Sequence, residues 1–333
     1  MIIPHLTQYD SPFLSKKNTG LGNALFQIFT GYGLAKTYNK NFNNIDLKKQ
    51  LIKLKNNFNL DYGNTIYRNL KFYEEDVNNV NYIDSINDVN NNVNYKKLYI
   101  IHECSGHSSL SRSIIDFVKN NNDYTIYING YLQSHIYFNN YYEEICNLIK
   151  PDINSYDLIK FKYSNLFDDN IINISMHVRI NWGCNIRYND NFAYFHEAIN
   201  YIKNNINNNT NNLNKNTDTL NKKIVINIFS DDIDQLKNNF KYIENECIYY
   251  SDNFDYIDLW CMSLCSHNII SHSTLSWWGA YINQTPNKII VYPKDILRMH
   301  EATVYNEPVH LERIKEHYKE EWIGLDTKNV IYQ

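Results

Sequence analysis

Proline and glycine are scarce in this sequence, six and ten among 333 residues, which excludes collagen-like and proline-rich linker architectures. Cysteine is as sparse: the six stand at 104, 146, 184, 247, 261 and 265, and only Cys261 and Cys265 are close. A zinc knuckle takes four ligands as two tight pairs, so this single pair reads as buried thiols and no metal site is expected. The lack of a cysteine framework suggests a reducing compartment. There is no basic excess either. With 32 Lys and Arg against 36 Asp and Glu the net charge is −4, which leaves no electrostatic footprint for nucleic acid. No apolar run approaches the length of a bilayer span, so no transmembrane segment is expected. The stretch from Met1 to Phe13 lacks the basic start and long apolar core of a secretory signal. On these absences the sequence reads as cytoplasmic.

What is present is ordinary globular material with one skew. Hydrophobic residues at 43% and charged residues at 20% fit a folded chain, and 333 residues set an expectation of two domains. Asn, Tyr, Ile and Lys are over-used. Their codons are AT-rich, which points to the genome of a microbe, a parasite or a large DNA virus rather than to a function. The 29 tyrosines are spread along the chain, without the basic groove of a single-strand stacking platform.

Along the chain, Gly20-Leu21-Gly22-Asn23 forms a glycine loop feeding a helix whose apolar face includes Leu25, Phe26, Phe29, Gly33 and Leu34. The polar stretch 76–97 reads as a surface connection. Strands are expected at 98–101 and 124–132, then a helix over 137–149 that Pro151 stops. A second run follows: strand 171–178, helix 194–204, strand 224–229, helix 233–240, strand 247–250, helix 255–265, strand 268–271, helix 276–283, strand 288–292. Strict β-α alternation predicts an α/β fold with a parallel sheet covered by helices on both faces. The Asn-, Lys- and Thr-rich tract 203–223 is expected to be a loop, since it offers little apolar area to bury.

In such sheets ligands bind beyond the carboxyl ends of the strands, so the polar residues there are the site candidates. Arg179 leaves a buried strand, with His177 on the same face. Its guanidinium can fork onto phosphate, or it can serve a structural salt bridge. Ser271, Ser273, Thr274 and Ser276 precede or open a helix, whose N-terminus suits an anion, although one hydroxyl is enough for a cap. Ser230, Asp231 and Asp232 follow a strand. Two adjacent acids there read as one helix cap and one solvated carboxylate, or as a ligand for a ribose or a metal. Asp258 sits in an otherwise apolar helix and needs a partner. A cap or a salt bridge satisfies it, and so does a guanine edge, which offers two N–H donors. Gly20, Gly22 and Asn23 lack the Lys-Ser/Thr of a P-loop and the third glycine of the dinucleotide fingerprint.

Together these strings resemble glycosyltransferase family 11, the α-1,2-fucosyltransferases. They are GLGNALFQIFTGYGLAKTYNK at 20–40, GYLQSHIYF at 130–138, HVR at 177–179, FSDDIDQLKNNF at 229–240, DLWCMSLCSHNIISHSTLSWWGAYIN at 258–283 and KEEWIGL at 319–325. The resemblance implies a GT-B architecture of two Rossmann-like domains facing a cleft. The sequence expectation is an acceptor-side domain at 1–155, a nucleotide-sugar domain at 156–313 and a tail at 314–333 that packs back on the body. It also implies inverting, metal-independent transfer of L-fucose from GDP-fucose to a hydroxyl of a glycan acceptor, with no cofactor beyond the nucleotide-sugar donor. Carried over by position, Arg179 contacts the pyrophosphate as the catalytic residue and His177 and Asp258 hold guanosine. Ser273, Thr274 and Ser276 line the phosphates, with Ser230 and Asp231 in the same donor site. Gly20, Gly22 and Asn23 close over the pyrophosphate. Glu103, His107 and His135 are candidates for the base that takes the acceptor proton. The family continues His-x-Arg with a second Arg, a Gly and an Asp, whereas Ile180, Asn181 and Trp182 stand here, with Arg187 and Asp190 later in the segment. Two alternatives follow from that departure: transfer of another nucleotide-activated deoxyhexose, or a non-catalytic carbohydrate-binding protein on the same scaffold.

Overall fold

The structure is a computed structural model. It describes residues 1–6, 20–71, 98–102, 111–180, 192–212, 222–294, 312 and 314–325. The expected connection at 76–97 and the candidates Glu103, His107, Arg187 and Asp190 lie outside these residues. The chain divides into two units, 1–150 with 315–318, and 151–314 with 319–333.

The first unit holds a three-stranded parallel sheet, β1 (Ile2–His5), β2 (Leu98–His102) and β3 (Thr125–Asn129), in the order β1-β3-β2. Pro4 is tolerated because β1 is an edge strand, where a missing N–H costs least. Helix α1 (Leu21–Thr37) is buried around most of its circumference, from Leu21 through Ala35. Its polar residues are satisfied across that packing. The Gln27 amide donates to the Gly130 carbonyl at 2.6 Å and the Thr30 hydroxyl to the Leu132 carbonyl at 3.4 Å. Helices α2 (Ile45–Phe58), α3 (Ser111–Asn120) and α4 (Tyr142–Leu148) complete the unit. The expected helix over 137–149 is broken: two short 3-10 turns, His135–Tyr137 and Asn139–Tyr141, precede α4. The cause is visible at Gly33 of α1, which lies against the Tyr137 carbonyl and Phe138. The two segments pack too closely there for a regular helix with side chains all round.

The second unit opens with α5 (Ile153–Lys162) and builds a six-stranded parallel sheet. Its strands are β4 (Ile171–Val178), β5 (Lys223–Ser230), β6 (Cys247–Tyr250), β7 (His267–Ile269), β8 (Ile290–Pro293) and β9 (Ile323–Leu325). Helices α6 (Ala193–Asn212), α7 (Ile233–Asn239), α8 (Asp255–Ser263) and α9 (Thr274–Tyr281) make the crossovers. The spatial order β6-β5-β4-β7-β8-β9 is doubly wound, and the direction of winding reverses between β4 and β7. One face of β4 presents Ile174, Met176 and Val178 to Phe195, Ala198, Ile199 and Ile202 of α6. The other carries a buried polar row, Asn173, Ser175 and His177. Asn173 accepts from Asn165 and Asn227 at 3.0 Å each, and Ser175 accepts from Asn268 at 2.7 Å.

The tract expected to be a loop from 203 begins as helix, because α6 runs on to Asn212. Asparagine costs only about half a kcal/mol per residue in a helix, and Ile206, packed against the core, anchors the extension. Strand β9 joins the sheet beside β8, and Trp322 is buried against Trp277 with ring centroids 5.5 Å apart. Cys261 and Cys265 are buried free thiols. No described helix is long and apolar enough to cross a membrane.

Candidate active site

The β4/β7 reversal leaves two carboxyl-end loops side by side, where ligands bind in doubly wound sheets. His177 ends the polar row of β4. It is buried, and its Nδ1 lies 2.9 Å from the Ser271 hydroxyl beyond β7. Desolvation first, and then the Arg179 charge, push its pKa down to about 4, with Asp231 opposing. A neutral His177 therefore ties the two loops together.

Arg179 follows β4 directly, and Asp231 follows β5. One Asp231 oxygen accepts the Ile180 backbone N–H at 2.8 Å, and the other lies 3.5 Å from Arg179 Nε. Asp231 thus pins the outgoing chain and steadies the guanidinium by its Nε edge. Among the described residues the terminal Nη donors of Arg179 have no hydrogen-bond partner, and the side chain is 20% exposed. A planar pair of donors with a fixed inner edge fits bidentate phosphate contact. Ser230 accepts the Asp232 N–H at 3.1 Å, and Asp232 caps α7 by accepting from Gln235 N at 3.2 Å. Asp232 is therefore the cap the sequence suggested, while Asp231 is drawn into the ion pair.

Helix α9 starts two residues before the expected Ser276. Ser273 is its N-cap residue, without a side-chain cap bond. Ser276 is buried and its hydroxyl donates to the Ser273 carbonyl at 3.0 Å. What the turn presents is backbone: the N–H groups of Thr274, Leu275 and Ser276 are first-turn donors with no partner inside the helix.

Asp258 stands apart from this cluster, in the first turn of α8 beyond β6. The Asn253 amide donates to its Oδ1 at 2.7 Å. Desolvation pushes its pKa up to about 7, with Asn253 pulling it down, Asp255 pushing it up and Lys162 pulling it down. Gly20, Gly22 and Asn23 belong to the first unit. Gly20 takes φ 67° at the N-cap of α1, and Asn23 accepts from the Gln133 amide at 2.9 Å. His135, in the same unit, has its Nε2 at 3.3 Å from the Lys315 carbonyl. Among the described residues no group of three or more His, Cys, Asp or Glu is placed to hold a metal. Reading the sequence alone missed Asn253, Lys162 and Tyr163, which carry no motif.

Acid stability checks the His177 environment. The unfolded chain takes up a proton on this histidine below about pH 6.5, whereas the folded chain resists until about pH 4. Its contribution is complete above pH 6.5 and is lost as pH falls. Between pH 7 and pH 5 that loss should be about 2 kcal/mol. Unfolding free energies from urea titrations at the two pH values should differ by that much less in a His177→Gln chain, and equal pH slopes for the two chains would contradict the assignment.

A family model described as Glycosyl transferase family 11 matches residues 16–326. The chain belongs to that family. This family-11 chain is 42% identical over 72 residues to the O-antigen biosynthesis glycosyltransferase WbnK of Escherichia coli. It is 32% identical over 73 residues to an alpha-1,2-colitosyltransferase of Escherichia coli. Each match covers 21% of this chain and 24% and 25% of those relatives, so the family-11 chain spans about a quarter of the length of the curated relatives it matches. A structure of an Arabidopsis thaliana FUT1 mutant in complex with GDP aligns with a TM-score of 0.49 and 10% identity, over 86% of this chain and 72% of that one.

Proposed function

We propose that this family-11 chain is a glycosyltransferase that moves a deoxyhexose, L-fucose from GDP-fucose, to a hydroxyl of a glycan acceptor with inversion. The observation that carries the reading is the guanidinium fork of Arg179, whose Nη donors have no hydrogen-bond partner among the described residues, at the β4/β7 reversal, beside the loop that leads into α9. Leaving-group departure builds charge on the pyrophosphate. Fixed donors aimed at that charge lower the barrier without reorganising at the moment of reaction. Asp231 supplies the fixing for Arg179, and His177 with Ser271 supplies it for the loop before α9. The guanine belongs over the outer strands, at Asp258. The GT-B arrangement and independence from divalent metal are parts of the same proposal. Undiminished turnover in excess chelator is the expected outcome for the metal.

A second donor is favoured by one observation. A relative is named an alpha-1,2-colitosyltransferase, and Ile180 and Asn181 stand where a second Arg and a Gly are expected. Hydrolysis and transfer assays with GDP-fucose, nucleotide-activated colitose and UDP-sugars, over a panel of oligosaccharide acceptors, separate these readings. Turnover of a GDP-deoxyhexose supports the proposal. Glycan binding with no turnover of any donor would replace it by the carbohydrate-binding alternative.

The Asp258 assignment carries its own pH dependence. A guanine edge is held by the ionised carboxylate, and burial, with the Asp255 charge adding to it against the pull of Asn253 and Lys162, keeps that group protonated up to about pH 7. GDP affinity should therefore rise about tenfold from pH 6 to pH 8 and then level off. Isothermal titration of an Asp258→Asn chain should give a flat profile over the same range.

A further inference from the structure

The turn between β6 and α8 holds Asp252 at φ 60°, a left-handed conformation that aspartate accepts more readily than most residues. Asn253 follows it, between the end of α5 and the first turn of α8. Its Oδ1 receives two donors, Lys162 Nζ at 2.7 Å and Tyr163 OH at 2.9 Å. An ammonium cannot accept a hydrogen bond, so this pair fixes which end of the amide is oxygen. The Nδ2 end then faces Asp258 and donates to Oδ1 at 2.7 Å. Tyr163 is itself held by stacking on Tyr250 of β6, with ring centroids 4.1 Å apart. The Asp258 carboxylate thus has one oxygen clamped, while Oδ2 has no hydrogen-bond partner among the described residues.

We propose that Asn253 is a positioning residue for base selection, holding the Asp258 carboxylate in the plane that receives both N–H donors of a guanine edge. This rests on the reading of Asp258 as the base-binding carboxylate. In the doubly wound order the region beyond β5 and β6 lies to one side of the reversal point, where the base of a nucleotide extends when its phosphates sit at that point. Guanine offers N1–H and N2–H side by side to a carboxylate. Hypoxanthine offers N1–H alone, adenine sets an acceptor beside its donor, and uracil flanks one donor with two acceptors. A carboxylate held in one plane discriminates among these. One free to swing toward Lys162 does not, because that ammonium competes for it.

The test is titration of the full chain with GDP, IDP and UDP. The native chain should bind GDP at least tenfold more tightly than IDP, with UDP weaker still. Asn253→Ala should weaken GDP at least tenfold, change IDP little, and bring the GDP/IDP ratio close to one. Asn253→Asp is the companion variant. It is isosteric and keeps both partners Lys162 and Tyr163, but it sets a carboxylate against Asp258 instead of a donor, and the ratio should collapse there too. If the alanine chain fails to fold, the aspartate chain decides. A GDP/IDP ratio preserved in the folded variant overturns the role of Asn253, even when its melting temperature falls. Asp258→Asn separates the two levels of the argument. If it abolishes the ratio while the Asn253 variants keep it, only the positioning role fails. If the Asp258→Asn chain keeps the ratio, or the native chain does not prefer GDP, the base-site reading fails and this inference with it.

Discussion

Arg179→Ala should lower sugar transfer about a thousandfold or more, and Arg179→Lys between tenfold and a hundredfold, with little change in melting temperature for either. One hydrogen bond from a charged donor to phosphate is worth ~1.5–3 kcal/mol, and the fork supplies two. Each 1.4 kcal/mol retained only in the transition state is a factor of ten in rate. Lysine restores the charge but has no planar pair of donors and no Nε edge for Asp231 to steady. Folding should be spared for structural reasons. Arg179 lies past the last residue of β4, its contact with Asp231 is long at 3.5 Å, and Asp231 keeps the Ile180 N–H in either variant. Rates and melting curves on the same preparations check both halves. Steep loss of melting temperature with a normal rate in the surviving folded protein would make Arg179 a structural salt-bridge residue.

Gly33→Ala should destabilise the first unit by ~3 kcal/mol, the upper end of what overpacking costs. A Cβ added there overlaps the Tyr137 carbonyl oxygen and meets the Phe138 Cα at 2.8 Å. Both are backbone atoms, so no rotamer change relieves the overlap. The helix or the turn has to back away, and buried contacts on both sides loosen with it. Gly63 is the matched control, since its added Cβ meets only Leu51 Cδ1, at 3.7 Å. Urea unfolding should show Gly63→Ala within ~0.5 kcal/mol of the native chain. Equal midpoints for the two variants would contradict the packing described.

The parts of the fold that were legible in the sequence are those where one period dominates. The Asn-Ile-Ser-Met-His-Val alternation marks β4, and strict β-α order gives the parallel sheet. The candidate site followed from that order, because Arg179, Asp231 and Ser273 all lie just past strand ends. Other elements were hidden for identifiable reasons. β1 carries a proline, tolerated only because the strand is at an edge, and strand neighbours cannot be read from a sequence. Leu47, Leu51 and Leu54 give α2 a helical period, but it is diluted by the Asn and Lys residues around it. The start of α9 at Thr274 is masked because Ser276 looks like a cap and is instead an internal residue bonded to its own turn. Asn253 could not be singled out at all. It is one asparagine in an asparagine-rich chain, and only the convergence of Lys162, Tyr163 and Asp258 on its two ends distinguishes it.

Strand β9 comes from the last part of the described chain, after residues 315–318 have grouped with the first unit and the chain has returned to the second. Before those residues are made, or after proteolysis ahead of them, β8 is the sheet's last strand. All four of its residues are buried in the intact fold. The uncovered edge offers unpaired N–H and C=O groups beside Val291 and Tyr292, blunted within the strand by Pro293 alone, which has no N–H to offer. Trp277 loses the Trp322 ring at the same time. The three residues of β9 therefore do more than extend a sheet: they replace a four-residue edge by a three-residue one, and a very short edge strand is a poor template for self-association. Shortened forms of this protein should be lost to aggregation, with strands of neighbouring copies pairing through β8.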